Sequence, residues 1–239
     1  MLASGVSFVG RRSNNEDTFR VCRDLGLYLV ADGMGGHEGG EVASRLAAEA
    51  VTRFFAGKRD GTNPAIDLDD PTRAFRHRMN LAIRQAQREV EAAARGDLAE
   101  MGTTLAALWL RGPLAIVAHV GDSRVYRCRG GVVEALTRDH SYVEQMRAAG
   151  MAPARHLRHL ITRAVGSDRG PPELRRVDAR AGDTFLLCTD GLSDVLGAGH
   201  IRRVLARTYA PERSAEALVH EALRRGTQDN VTALVVRID

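Results

Sequence analysis

The sequence contains few cysteines and few aromatic residues. Its three cysteines, Cys22, Cys128 and Cys188, are far apart and form no Cys-x-x-Cys pair, which excludes a zinc knuckle and a dithiol redox motif. We expect them to be small buried hydrophobic residues in a reducing cytoplasm. Aromatic residues make up only 5% of the chain, so the core must be built mainly from Leu, Val and Ala.

Lysine is almost absent, because Lys58 is the only one, and the formal net charge is a modest +4. The basic residues are scattered, whereas a nucleic-acid-binding face needs a basic cluster or stripe. No apolar run approaches the ~20 residues that a membrane span requires. The first residues, MLASG, lack the basic start and apolar core of a signal peptide. We therefore expect a cytoplasmic protein that binds neither nucleic acid nor membrane.

The chain has 239 residues, of which 44% are hydrophobic and 27% charged, and this is enough for one globular domain. It contains no repeat, no low-complexity tract and no linker, so residues 1–239 are predicted to form a single domain. Gly112-Pro113 and Gly130-Gly131 separate apolar runs and indicate antiparallel hairpins. The order of elements predicts an α+β fold. The predicted strands are 18–22, 26–31, 103–110, 114–120, 124–129, 132–137, 175–179, 184–189 and 231–238, and the predicted helices are 41–55, 70–94, 142–149, 198–209 and 214–225.

Five predicted strands carry an acidic residue at one end. Each Asp-Gly or Gly-Asp pair is an ordinary turn dipeptide when it is taken alone. If antiparallel strands bring these ends together, however, the carboxylates form a cluster that needs cations for neutralisation. The acidic residues in question are Asp32, Asp122 and Asp190 after strands, and Glu16-Asp17 and Asp229 before strands.

The composition of this set of acids suggests the kind of ion. Oxygen ligands without His or Cys select hard cations, meaning Mg²⁺ or Mn²⁺. The glycines that follow Asp32 and Asp190 allow the backbone to approach an ion closely. Two such ions activate water and clamp a phosphoryl group. The spacing therefore favours metal-dependent phosphoester hydrolysis over a set of unrelated turns.

Eight short motifs, spread in order over nearly the whole chain, resemble those of the protein phosphatase 2C (PPM) family of metal-dependent serine/threonine phosphatases in its bacterial form. A single Asp-Gly pair would mean little, but eight motifs in sequence are highly specific. They are GRRSNNED (10–17), DGMGGHEGGEVAS (32–44), MGTT (101–104), GDSR (121–124), TRDHS (137–141), TRAVG (162–166), TDGL (189–192) and DNVT (229–232).

The resemblance implies a four-layer αββα architecture, in which a central sandwich of two antiparallel sheets is flanked by helix pairs and the metal site lies at one end. By position, Asp32 is expected to bridge two ions, with Asp17 close to the same cluster. Asp190 and Asp229 are expected to ligate one ion, and the Gly33 carbonyl the other.

The remaining expected roles concern a third ion, the phosphate and the leaving group. Asp122 corresponds to a ligand of a third ion in bacterial members, and Asp168 is the candidate to join it. Glu16 is expected to act through metal-bound water, and Arg12 to hold the substrate phosphate with its two-pronged guanidinium. His37 either protonates the leaving oxygen or makes a hydrogen bond that stabilises its loop.

The function implied is hydrolysis of phosphoserine and phosphothreonine in proteins by a water activated by two or three Mn²⁺ or Mg²⁺ ions. The resemblance further implies a cognate bacterial Ser/Thr kinase as the opposing enzyme, and we expect a monomer. Two alternatives are a non-catalytic binding member of the same fold and a small-molecule phosphohydrolase. The presence of Asp17, Asp32, Asp190 and Asp229 argues against the non-catalytic alternative.

Overall fold

The computed structural model describes residues 1–35, 39–57, 71–152, 157, 160–167, 171–207 and 209–239. Eleven strands and six α-helices lie within these residues. The strands are β1 (Leu2–Phe8), β2 (Asp17–Cys22), β3 (Leu27–Met34), β4 (Gly102–Thr103), β5 (Leu105–Arg111), β6 (Leu114–Val120), β7 (Arg124–Arg129), β8 (Val132–Ala135), β9 (Glu173–Asp178), β10 (Thr184–Cys188) and β11 (Val231–Arg237). The helices are α1 (Gly39–Ala56), α2 (Pro71–Ala93), α3 (Tyr142–Ala148), α4 (Asp190–Ser193), α5 (Ala198–Leu205) and α6 (Pro211–Arg224).

The strands form two antiparallel sheets. The first has the order β1-β11-β10-β7-β8, and the second has the order β2-β3-β5-β6-β9 with β4 paired to the end of β3. The hairpins β5–β6 and β7–β8 are both antiparallel, as the Gly-Pro and Gly-Gly pairs predict. The long connections carry the helices to the outer faces of the two sheets.

The apolar residues divide the molecule into four layers. Alternate residues of a strand point to opposite faces, so Tyr28 and Val30 face the other sheet while Leu29 faces α1 and α2. The first sheet behaves in the same way, because Phe185 packs between the sheets and Leu186 packs against α5 and α6. Strands buried on both faces read as continuous apolar runs, which explains the sequence pattern. The structure confirms the α+β class and the αββα order of layers.

The structure also corrects several predicted boundaries. β1 was not predicted, because LASGVSF shows no clear alternation of apolar and polar residues and its strand conformation depends on pairing with β11. The predicted loop that starts at Asp32 is wrong at its beginning, since Asp32–Met34 continue β3 and Gly33 pairs with Thr103. That same pairing divides the predicted strand 103–110 into β4 and β5. Residues 58–70, predicted to form a loop and the start of a helix, lie outside the described residues.

Two further sequence predictions can be compared with the structure. Cys128 and Cys188 are buried, as expected, whereas Cys22 is only partly buried, and all three are free thiols. Among the residues that the structure describes, no helix combines the length and the apolar character needed to cross a membrane.

Candidate metal and phosphate site

The acidic residues at the strand ends meet at one end of the sandwich. Asp17 begins β2 and lies directly opposite Asp32 of β3 in the sheet register. Asp122 follows β6, Asp190 begins α4 immediately after β10, and Asp229 precedes β11. These ends surround a cleft of about 770 Å³. Its lining includes Arg12, Asn14, Glu16, Asp32, Gly33, Thr104, Asp122, Ile161, Asp190, Asp229 and Asn230.

The backbone of Asp32 is fixed by three hydrogen bonds, and a fourth holds the residue that follows it. Its carbonyl oxygen accepts from the Thr104 amide at 2.8 Å and from the Thr103 hydroxyl at 2.9 Å. Its own amide donates to the Thr104 hydroxyl at 3.0 Å, and the next amide, that of Gly33, donates to the Glu16 carbonyl at 3.2 Å. With its main chain held in this way, the Asp32 carboxylate has a defined position in the cleft.

Asp17 lies behind the cleft floor and has one oxygen directed by two hydroxyl groups. Its side chain is 8% exposed, and Oδ2 accepts from Thr189 at 2.9 Å and from Thr232 at 2.6 Å. The other oxygen, Oδ1, is buried and accepts no hydrogen bond from the described residues. A buried carboxylate oxygen without a donor is costly unless a cation approaches it.

Glycine is required where the chain passes closest to the acids. A Cβ atom on Gly33 would lie 2.0 Å from the Gly40 carbonyl oxygen, and one on Gly40 would lie 2.4 Å from Oε2 of Glu16. Both distances are far below van der Waals contact. The two glycines therefore let the end of β3 pack against the start of α1 beside Glu16, where Gly33 lines the cleft.

Glu16 is held by Asn230, a residue to which the sequence analysis gave no role. The amide of Glu16 donates to Oδ1 of Asn230 at 2.8 Å. Nδ2 of Asn230 donates to the carbonyls of Val9 at 2.8 Å and Asn14 at 2.9 Å. One side chain thus ties the loop that carries Arg12 and Glu16 to the start of β11. The only indication of this role in the sequence was the position of Asn230 in the DNVT motif.

Arg12 reaches into the cleft from its rim. Its Nη2 lies 2.7 Å from Oδ2 of Asp229, and its side chain is 59% exposed. Its neighbour Arg11 instead contacts Gln228, with Nη1 at 3.5 Å from Oε1, and does not line the cleft. Of the two adjacent arginines, only Arg12 therefore lines the cleft.

Burial and the neighbouring acids disfavour the charged form of four carboxyl groups at the cleft. Burial, followed by the nearby acids, raises the pKa of Asp17 to about 7 and that of Asp122 to about 8. The same causes raise the pKa of Asp32 well above its usual range. Burial also raises the pKa of Glu16. Divalent cations would lower these pKa values again, since they favour the charged form of every carboxylate around them.

The donor set accordingly fits hard divalent ions. The cleft offers carboxylates and the Gly33 carbonyl, and the orphaned oxygen of Asp17 lies just behind it. Such all-oxygen sets suit Mg²⁺ and Mn²⁺. The structure brings together Arg12, Glu16, Asp17, Asp32, Gly33, Asp122, Asp190 and Asp229, while the predicted site residues His37 and Asp168 lie outside the described residues.

The raised pKa values predict that the metal-free protein loses stability as pH rises from about 6.5 to about 8.5. Unfolded aspartate, with a pKa of about 3.9, has already lost its proton below this range, whereas the folded chain gives up the protons on Asp17 and Asp122 only as the pH rises through about 7 and about 8. Stability falls with rising pH wherever the folded state binds more protons than the unfolded state. Thermal melts in chelator should therefore show a falling Tm across this range.

The matched control for this effect is Asp122→Asn. The Tm of this variant should change less with pH than the Tm of the wild type. Subtracting one Tm from the other at each pH removes the contribution of buried histidines, which both proteins share. Added Mn²⁺ should stabilise the wild type more at pH 8 than at pH 6.5, because the ion competes with protons. If the Tm values of the two proteins in chelator changed with pH to the same extent, the prediction would be contradicted.

Two antiparallel sheets between helix pairs, with a carboxylate-lined cleft at one end, define an α+β protein with a site suited to hard divalent cations. A model of the protein phosphatase 2C family matches residues 4–230. The chain belongs to the protein phosphatase 2C family.

Individual relatives agree with this assignment. The chain is 39% identical over 232 residues to the serine/threonine protein phosphatase PstP of Mycobacterium tuberculosis, a match that covers 95% of this chain and 43% of PstP. It therefore spans less than half the length of that relative. It is 31% identical over 241 residues to the protein phosphatase PhpP of Streptococcus pneumoniae, covering 96% of this chain and 94% of PhpP.

The similarity extends to a solved structure that contains metal ions. The crystal structure of the catalytic domain of PstP in complex with two manganese ions superposes with a TM-score of 0.83 at 35% identity. The alignment covers 99% of this chain and 98% of that domain.

Proposed function

We propose that this chain is a metal-dependent phosphatase domain that hydrolyses phosphoserine and phosphothreonine in proteins. The observation that carries the proposal is the cleft itself, which combines a cluster of carboxylates with the exposed guanidinium of Arg12 at its rim. The names of PstP and PhpP as protein phosphatases support the same activity.

We assign two or three Mn²⁺ or Mg²⁺ ions to the cleft. Asp32 would bridge two of them, with Asp17 beside it, the Gly33 carbonyl on one side and Asp190 and Asp229 on the other. Asp122 would hold a third ion, together with Asp168. When bound, such ions lower the pKa of water towards neutrality and polarise the phosphoryl oxygens.

The chain's own residues supply the remaining requirements. Arg12 binds two phosphate oxygens and orients the phosphoryl group. Glu16, whose backbone is fixed by Asn230, orients water, and His37 is the candidate proton donor to the leaving oxygen. Cys128 and Cys188 are buried and line no part of the cleft, which argues against a cysteine nucleophile.

The biological setting completes the proposal. Phosphorylated proteins are the substrates, a cognate Ser/Thr kinase supplies them, and the reducing cytoplasm is the compartment, in keeping with three free cysteines. We also propose that residues 1–239 form one catalytic domain that acts as a monomer.

The test is a phosphatase assay of the purified protein on phosphoserine and phosphothreonine peptides. We expect turnover with Mn²⁺ or Mg²⁺, complete loss in excess chelator and recovery when either ion is returned, because the ligands are oxygens without a soft donor. A phosphotyrosine peptide and a small phosphate ester serve as substrate controls.

Three outcomes would contradict this proposal. Full turnover after exhaustive chelation would remove the role of the ions, and inactivation by thiol alkylation would favour a cysteine mechanism. Rapid hydrolysis of small esters without any phosphopeptide turnover would favour a small-molecule phosphohydrolase.

A further inference from the structure

The turn that carries Asp122 into the cleft is held by a histidine from a distant part of the chain. The amide of His140 donates to the Gly121 carbonyl at 2.9 Å. In return, the Gly121 amide donates to Nδ1 of the His140 ring at 3.2 Å. Both polar groups of Gly121 are thus engaged by a single residue. Gly121 has a φ of +95°, and a Cβ atom there would lie 2.6 Å from the Thr104 side chain.

The ring of His140 is fixed from its other sides. It is 7% exposed and stacks on His119 with ring centroids 4.4 Å apart. His119 is anchored in turn, because its Nε2 donates to the Arg138 carbonyl at 2.7 Å. Burial, with His119 and Arg163 alongside, lowers the pKa of His140 to about 4, so Nδ1 keeps its lone pair for the Gly121 amide at neutral pH.

A metal ion between these histidines is the competing interpretation. His119, His140 and Glu173 offer ligand atoms that lie within 4.8 Å of one another. Nδ1 of His140 already accepts from the Gly121 amide, however, so the proton of the neutral ring is on Nε2, which lies 3.6 Å from Oε2 of Glu173. Because neither ring nitrogen of His140 has a lone pair left for an ion, the cluster serves to hold the turn and not to bind metal.

His140 also connects this turn to the opposite wall of the cleft. Its carbonyl accepts from the Thr162 amide at 2.7 Å, and the amide of Tyr142 donates to the Leu160 carbonyl at 2.8 Å. Between these bonds, Ser141 forms a β-bridge with Ile161, and Ile161 lines the cleft. One residue therefore joins the Asp122 side of the cleft to the Ile161 side.

We propose that His140 is a positioning residue for Asp122: by clamping Gly121 at its amide and carbonyl, it holds the Asp122 carboxylate in place for a third divalent ion. This inference rests on the proposed function, in which Asp122 is a metal ligand. The neighbours on the other side of Asp122 are held independently, Ser123 by the Thr104 hydroxyl at 2.7 Å and Arg124 by Asp139 at 2.6 and 2.8 Å. Loss of the His140 ring should therefore loosen the turn without unfolding the sheet.

Two substitutions of His140 separate the clamp from a general packing role. In His140→Asn the side-chain oxygen takes the place of Nδ1 and can still accept from Gly121. In His140→Gln the side-chain amide reaches the place of Nε2 instead, and the Gly121 amide loses its acceptor. The measurements are calorimetric titration of the metal-free proteins with Mn²⁺ and hydrogen exchange of the Gly121 amide, with Asp122→Ala as the reference.

We expect the Gln variant to bind its weakest Mn²⁺ ion about three- to tenfold less tightly, the effect of one neutral hydrogen bond, with the tighter ions unchanged. Its Gly121 amide should exchange faster. The Asn variant should stay close to the wild type in both measurements, and Asp122→Ala should lose the weakest binding event altogether. In the wild type, without any substitution, the Gly121 amide should exchange at least ~100-fold more slowly than an unprotected amide.

Unprotected exchange of Gly121 in the wild type would overturn the proposal even if a variant failed to fold. So would equal Mn²⁺ binding by the Gln variant and the wild type, or unchanged stoichiometry in Asp122→Ala. None of these readouts uses phosphate hydrolysis. A protein that binds its ions as described here but hydrolyses no phosphopeptide would therefore refute the proposed function and leave the role of His140 supported.

Discussion

Replacing Asp32 by Asn should lower kcat/KM for phosphopeptides by at least ~10³-fold, because a carboxylate shared by two ions contributes several kcal/mol and each ~1.4 kcal/mol is a factor of ten. The fold should survive, since the main chain of Asp32 is held by Thr103 and Thr104. Asn has nearly the same shape as Asp and needs no cation. The metal-free variant should therefore melt at a higher temperature than the metal-free wild type, because one member of a repelling cluster is gone.

The control is Asp24→Asn, the same chemical change at an exposed residue in the short 3₁₀ turn Arg23–Leu25. It should keep both activity and the rise in Tm that Mn²⁺ produces, whereas Asp32→Asn should lose both. A variant at Asp32 that unfolds, or that still gains stability from Mn²⁺ as the wild type does, would show that Asp32 is structural or peripheral.

The convergence of the acids could be predicted because it depends on simple rules. Strands such as β3 and β10 are buried on both faces, so they read as uninterrupted apolar runs, and an acid directly after such a run must lie at the end of a sheet. The antiparallel hairpins were indicated by a Gly-Pro pair and a Gly-Gly pair. The structure brings Asp32, Asp122, Asp190 and Asp229 to one cleft, although their ligation of metal remains a prediction.

Other features could not be predicted because they depend on residues far apart in the chain. β1 forms only because β11, more than two hundred residues later, supplies its partner. Asn230 and Thr232 belong to a recognisable motif, yet nothing in their spacing shows that one holds the Glu16 loop and the other directs Asp17. The clamp of His140 on Gly121 is of the same kind.

The pairing of Arg12 with Asp229 is another such contact, and it gives the second large prediction. Arg12→Ala should raise KM markedly and lower kcat less, because a cation on the substrate phosphate acts in both the ground and transition states. One charge-assisted hydrogen bond contributes ~1.5–3 kcal/mol, so kcat/KM should fall on the order of ten- to a hundredfold. Arg12→Lys should recover only part of the loss, since an ammonium lacks the planar fork.

Because Arg12 also contacts Asp229, loss of activity in Arg12→Ala could arise from a damaged metal site instead. Calorimetry separates the two causes, because they change the Mn²⁺ affinity in opposite directions. Removing a cation from beside Asp229 should strengthen Mn²⁺ binding, whereas damage to the metal site would weaken it. Arg11→Ala is the matched control, since Arg11 is also exposed but contacts Gln228 and does not line the cleft, and it should stay near wild type. If Arg11 were the more damaging position, the alignment of the first motif would be wrong by one residue. If neither substitution raised KM, the phosphate would have to be held without either arginine, and the role of Arg12 would be withdrawn.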